Sequence, residues 1–235
     1  MALRAPRVGV ALLGGGLGER LQSPVPKALF PILGHPMIHY SIRLFSSMAE
    51  VSAIYVAFPE FHISALEKAL ASYPRGALRE IVAGGPTRAA SALNALRAME
   101  RSAPEVVLVH DAARPCITVQ EVRDLIQALE GHDGAFLAIP AVDTLWSVEE
   151  SAVSGAVDRS KMVQAMTPQA FRYGTLREAL ERGLAEGFDG SDDVSYVRRM
   201  GGDVVWVKGD RWNIKVTYPE DVQVAEALLG GKGCA

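Results

Sequence analysis

The strongest constraint on this chain is an alternation. Short apolar segments at Val8–Leu13, Ala53–Phe58, Glu80–Ala83, Val106–His110, Ala135–Pro140 and Val204–Val207 alternate with amphipathic stretches at Pro36–Met48, Ile63–Ser72, Arg88–Arg101, Val119–Leu129, Gly174–Glu186 and Glu220–Leu229. Strands this apolar are buried on both faces, and stretches of helical period between them supply the cover. The pattern predicts right-handed βαβ units, hence an α/β fold with a mostly parallel sheet and helices on both faces. Binding sites in such a sheet lie beyond the carboxyl ends of the strands.

A chain of 235 residues with 49% apolar residues suffices for one core, so a single domain over 1–235 is expected. The net charge of −3 gives no general attraction to polyanions, which argues against nucleic acid or an anionic membrane as partner. A small anionic substrate needs only a basic pocket. The run Val8–Leu13 is too short to span a bilayer. Cys116 and Cys234 are the only cysteines, too few for a disulfide framework, and they fit the cytoplasm. Gly230, Gly231, Lys232 and Gly233 read as a fraying tail.

One stretch breaks the alternation. Residues 141–166 lack a helical period, carry Thr144, Val148, Val153 and Val157, and offer Ser154-Gly155 as a turn. They read as an extended β-hairpin arm. Such an arm exposes apolar side chains and edges, so it either clasps a second copy in a homodimer or folds onto its own domain.

Three constellations carry chemistry. The first strand runs into Gly14, Gly15, Gly16 and Gly18, followed by Arg20 and, after Pro26, Lys27. Glycines at a strand end let backbone N–H groups approach a phosphate, and the two cations add fixed positive charge. The loop lacks the Gly-Lys-Ser/Thr of a P-loop, and Leu21 breaks a dinucleotide fingerprint. The second constellation is His110-Asp111-Ala112-Ala113-Arg114-Pro115. Asp111, leaving a buried strand, is the candidate ligand for Mg²⁺, a hard cation that takes one or two carboxylates and completes its shell with phosphate oxygens and water; capping of the next helix is the alternative. Ala112 leaves room for a ligand, Arg114 binds phosphate or pairs locally, and His110 is either a ligand or base or, as is commoner for a lone His at a strand end, a satisfied structural residue. In the third, Gly84-Gly85 with Ser91 can read the edge of a small base, while Thr87 caps the helix. Ser191-Asp192-Asp193 looks like a helix start, and Lys215 is a cation placed to point into a site.

In order, Gly16-x-Gly18-x-Arg20, Pro26-Lys27, Gly84-Gly85-x-x-Arg88-x-x-Ser91, His110 to Pro115, Val157-Asp158-Arg159, Thr167-Pro168-Gln169 and Asn213-Ile214-Lys215 resemble the 2-C-methyl-D-erythritol 4-phosphate cytidylyltransferases of the non-mevalonate isoprenoid pathway. The resemblance spans nearly the whole chain. It implies the Rossmann-like sheet of nucleotide-diphospho-sugar transferases with a dimerising arm. It further implies that CTP and 2-C-methyl-D-erythritol 4-phosphate are joined with loss of pyrophosphate. Arg20, Lys27 and Lys215 would stabilise charge on the α-phosphate, and Asp111 would hold Mg²⁺. Gly85 and Ser91 would recognise cytosine, and Thr144, Arg159, Thr167, Ser191 and Lys215 would hold the acceptor's phosphate. The chain departs from the family pattern at Gly14-Gly15, Ala28, Ala90, Met166 and Ser191, and retains every cation and the metal carboxylate. Competing readings are a ribitol 5-phosphate cytidylyltransferase, an NAD-linked oxidoreductase and a regulatory nucleotide-binding module.

Overall fold

The computed structural model describes residues 7–102 and 104–231. Arg4, Lys232, Gly233 and Cys234 lie outside them. In chain order the elements are β1 (Val8–Leu13), β2 (Pro31–Ile32), β3 (His35–Pro36), α1 (Met37–Ser46), β4 (Val51–Phe58), α2 (Ile63–Leu70), β5 (Leu78–Ala83), α3 (Arg88–Ala98) and β6 (Val106–Asp111). There follow α4 (Val119–Ala128), β7 (Gly134–Pro140), β8 (Leu145–Glu149), β9 (Ala152–Val157), β10 (Val163–Arg172), α5 (Tyr173–Ala185), α6 (Asp193–Arg199), β11 (Val204–Lys208) and α7 (Pro219–Gly231).

Seven strands form one sheet in the order β11-β7-β10-β6-β1-β4-β5. The pairs β1/β4, β1/β6, β4/β5 and β11/β7 are parallel, whereas β10 runs antiparallel to both of its neighbours. Successive side chains of a strand point to opposite faces. Accordingly Val8, Val10 and Leu12 pack with Ile38, Phe45 and Leu125 on one face, and Ala11 and Leu13 pack with Leu93, Leu96 and Leu180 on the other. Each face therefore has its own core. A smaller third cluster joins Ile32 and Met37 to Val216, Ala225 and Leu229, which seats α7 beside the small β2–β3 hairpin.

Helix starts follow their caps. Thr118 and Glu121 form a reciprocal capping box on α4, Thr87 accepts from Ala90 N–H on α3, and Asp192 accepts from Ser195 N–H on α6. No helix among the described residues is long and apolar enough to cross a membrane.

Three expectations are corrected. The stretch assigned to the arm, 141–166, ends in the main sheet, because β10 begins at Val163 and inserts between β6 and β7. The arm is thus the β8–β9 hairpin with its flanks. Its turn lies at Glu150-Ser151, with Glu150 at φ 54, and not at Ser154-Gly155: the ladder closes with Glu149 opposite Ala152 and puts Gly155 opposite Ser147 inside the strand pair. Gly230 and Gly231 form the last turn of α7 instead of a frayed tail, held by Leu229 in the third cluster. The hairpin does not fold onto its own domain. Trp146, Val148 and Val153 are 56%, 60% and 62% exposed.

Candidate active site

The parallel strands β1, β4, β5 and β6 end together, and the loops leaving them enclose a cavity of about 680 Å³. Leu13 at the end of β1 lies opposite Asp111 at the end of β6, so the glycine loop and the carboxylate start from adjacent points of the sheet. Gly14 N–H donates to the Ala57 carbonyl (2.9 Å), and Lys27 N–H donates to the Gly16 carbonyl (3.0 Å). Gly18 sits at φ 85, a conformation glycine adopts without cost, and turns the chain so that Arg20 and Lys27 return over the cavity. A methyl group on Gly14 would come within 2.7 Å of the Phe58 ring, whereas one on Gly15 would meet nothing within 4 Å. The departure from the family pattern at Gly14 thus has a local cause.

Asp111 forms the charged floor. It does not cap a helix, since α4 starts at Val119 under Thr118. Its Oδ2 accepts from Lys215 Nζ at 2.7 Å and its Oδ1 from Arg88 Nε at 3.2 Å, while Arg88 Nη1 also donates to the fully buried Asp193 at 2.6 Å. Burial would raise the Asp111 carboxyl, but Arg88 and Lys215 outweigh it and hold the group ionised, well below the usual carboxylate range. Arg88 therefore cross-links α3, β6 and α6 beneath the cavity.

Behind Asp111 runs a chain of buried polar groups. The Arg114 carbonyl can only accept, so His110 Nε2 carries the proton of their 3.1 Å bond, leaving Nδ1 to accept from the Thr167 hydroxyl at 3.2 Å. Thr167 Oγ1 in turn accepts from Asp111 N–H at 3.0 Å. Asn213 Nδ2 donates to the Thr167 carbonyl, and Arg114 Nη1 to the Asn213 carbonyl. His110 is fully buried, and burial pulls its pKa down to about 4, so it is neutral at physiological pH. The structural reading of His110 holds.

The third turn is equally fixed. Gly84 N–H donates to the Phe58 carbonyl at 2.8 Å, and Ser91 Oγ accepts from Gly85 N–H at 3.0 Å while donating to the Thr87 carbonyl at 2.9 Å. A Cβ on Gly85 would fall 2.4 Å from that of Ala90, so the helix start can approach this closely only at a glycine.

Of the residues singled out in the sequence, Gly14, Gly15, Gly16, Arg20, Lys27, Gly85, Ser91, Asp111, Ala112 and Lys215 line the cavity. Gly18 shapes its loop from behind. Arg114 does not line it, being turned to Asn213, and neither does Thr167, which is 5% exposed. Thr144 and Arg159 sit at the base of the arm, where Arg159 donates to the Val142 carbonyl, and Ser191 lies exposed before the cap of α6. Burial, with the Lys215 and Arg20 cations nearby, pulls the Lys27 ammonium down to about pKa 8. The three cations repel one another across the cavity, and an anion between them would relieve that repulsion. Arg88 and Phe61 also line the cavity and were not assigned roles from the sequence. The Arg88 motif was visible there, but its partners lie 23 and 105 residues away. Phe61 left no signal beyond an aromatic residue after a strand.

Among the described residues no group of three His, Cys, Asp or Glu is arranged to hold a metal. Asp111 offers one ionised carboxylate aimed into the cavity, with both oxygens already engaged by cations. One carboxylate meets the needs of an ion such as Mg²⁺, which completes its shell with phosphate oxygens and water, only where Lys215 gives up its bond to Oδ2.

A family model described as 2-C-methyl-D-erythritol 4-phosphate cytidylyltransferase matches residues 8–231. A protein of that name from Geotalea uraniireducens is 39% identical over 225 residues, covering 95% of this chain and 97% of the relative. The crystal structure of 2-C-methyl-D-erythritol 4-phosphate cytidylyltransferase from Thermus thermophilus superposes with a TM-score of 0.74 at 29% identity, covering 94% of this chain and 98% of that one. The 4-diphosphocytidyl-2C-methyl-D-erythritol synthase structure from Anaerococcus prevotii shares the fold at a TM-score of 0.83 and 24% identity, covering 97% of this chain and all of that one.

Proposed function

The chain belongs to the 2-C-methyl-D-erythritol 4-phosphate cytidylyltransferase family, and we propose that the cavity over Asp111 is where it binds CTP. The protein is a cytidylyltransferase of isoprenoid precursor biosynthesis. It transfers the cytidylyl group of CTP to 2-C-methyl-D-erythritol 4-phosphate, giving 4-diphosphocytidyl-2-C-methyl-D-erythritol and pyrophosphate.

The observation that carries the site assignment is the convergence of Arg20, Lys27 and Lys215 with the glycine loop on one cavity in a chain of net negative charge. The reaction needs no dedicated base. The attacking phosphate monoester has a second pKa of about 6 and is largely dianionic at neutral pH. An oxygen of that phosphate bonds to the α-phosphorus of CTP as the bond to the departing pyrophosphate breaks. What remains for the protein is positioning and charge. N–H groups of Gly15 and Gly16 cradle the triphosphate, Gly14 being tied to Ala57 beneath them, Arg20 and Lys27 draw the α-phosphate towards attack, and Gly85 and Ser91 face the cytosine. Mg²⁺, when bound, would neutralise phosphate charge. Asp111 would hold it and release Lys215 from its ion pair, so that the ammonium serves the reacting phosphates.

Thr144, Arg159, Ser191 and Lys215 form the acceptor side in this reading, whereas the buried Thr167 hydroxyl is committed to His110 and Asp111 and acts by holding Asp111 in place. Because Thr144 and Arg159 stand on the arm, outside the cavity of a single chain, we propose a homodimer in which the arm brings them to a partner's site. The exposed Trp146, Val148 and Val153 support that role, since apolar faces of this kind are normally covered. A cytoplasmic location is part of this proposal, supported by water-soluble phosphorylated substrates and by a chain with only two cysteines. The test is pyrophosphate release from CTP with each polyol phosphate in turn; release with ribitol 5-phosphate alone would refute the acceptor assignment.

A further inference from the structure

Phe61 is 98% exposed, more than any other large apolar side chain in the described residues. It sits on a single 3-10 turn, Glu60–His62, directly after β4, and lines the same cavity as Gly85 and Ser91. The turn is well anchored. His62 N–H donates to the Pro59 carbonyl at 2.9 Å, and the bond from Gly84 N–H to the Phe58 carbonyl ties the end of β4 to the turn that carries Gly85. On the other side, Gly14 N–H bonds the Ala57 carbonyl, so Phe61 projects from a fixed point between the phosphate loop and the base-edge turn. A phenyl ring this exposed buries nothing in the free chain, so its place is not explained by folding.

We infer that Phe61 stacks on the nucleobase of bound CTP and closes the mouth of the cavity over it. This rests on reading the cavity as the CTP site and assigns the face of the base where Gly85 and Ser91 address its edge. Stacking uses the π-face that every base has, so Phe61 contributes affinity and leaves cytosine selection to the edge contacts.

The test is calorimetric titration of CTP, UTP and inorganic tripolyphosphate into the wild-type chain and Phe61→Ala, Phe61→Leu and Phe61→Tyr, without acceptor. Phe61→Ala and Phe61→Leu are expected to bind CTP about tenfold more weakly and to lose the same factor for UTP, with Phe61→Tyr near wild type. Tripolyphosphate affinity and melting temperature are expected to stay unchanged in all three. Unchanged CTP affinity in Phe61→Ala, full rescue by leucine, or an equal loss for tripolyphosphate would each overturn the inference. So would normal CTP binding by a Phe61→Ala variant whose assembly has become smaller, which would assign the ring to contact between copies. Wild-type chain that binds CTP yet releases no pyrophosphate with 2-C-methyl-D-erythritol 4-phosphate would count against the proposed reaction and leave the stacking result standing.

Discussion

Raising the pH should disarm this enzyme through one side chain. Lys27 has its pKa pulled from 10.5 to about 8 by burial and by the neighbouring Lys215 and Arg20 cations. In the free enzyme it therefore carries its charge below pH 8 and loses it above. The acceptor phosphate is already dianionic there, and Asp111 is ionised throughout, so neither adds a limb in this range. Since kcat/KM reports the free enzyme, it should fall about tenfold per pH unit above 8, with the limb of kcat displaced to higher pH because bound phosphates favour the ammonium. The assay is initial-rate pyrophosphate release from pH 6.5 to 10 at subsaturating CTP. Lys27→Arg, whose guanidinium stays charged, should lose the limb even if its absolute rate is low. Arg20→Gln removes one of the repelling cations, so its limb should move upward. The same alkaline limb in Lys27→Arg, or a flat wild-type profile, would refute the assignment of the low pKa to Lys27.

Other outcomes follow from packing and burial. Gly14→Ala drives a methyl against the Phe58 ring and should cost about 1–3 kcal/mol, whereas Gly15→Ala should be neutral or stabilise by up to about 1 kcal/mol, as read from denaturant midpoints. His110 takes up its proton near pH 6.5 when unfolded and only near pH 4 when folded. Stability should therefore fall as pH drops through that window, by about 3 kcal/mol in the limit, and His110→Gln should lack this part of the slope. Trp146→Glu with Val153→Glu should convert a dimer into a monomer in light scattering without loss of cooperative melting; a monomeric wild type would contradict the clasped arm.

The chain's alternating segments made β1, β4, β6 and β7 readable because their burial on both sheet faces leaves near-continuous apolar runs. The carboxyl-end site was readable for the same reason, since Gly14 to Gly18 and Asp111 follow such runs directly. β10 was not. Its Gln164, Thr167, Pro168 and Gln169 look unlike a central strand, and what admits them is satisfaction by distant partners: Thr167 by His110 and Asp111, Gln169 by Asp192 and Val194. Turn chemistry favoured Ser154-Gly155, but pairing of the arm strands decided otherwise. Arg114 looked like a phosphate ligand by charge alone, and only the fold shows its guanidinium bonded to the Asn213 carbonyl. The same is true of Arg88, whose motif was visible while the two aspartates it clamps were not.

The most direct test of the central claim is pyrophosphate release by the wild-type chain, Arg20→Ala and Lys27→Ala, with CTP, Mg²⁺ and either 2-C-methyl-D-erythritol 4-phosphate or ribitol 5-phosphate. The expected result is turnover with the methylerythritol substrate, reduced about 10²- to 10³-fold in each variant while both remain folded. No release from CTP with that acceptor, or near-normal turnover by either variant, would contradict it.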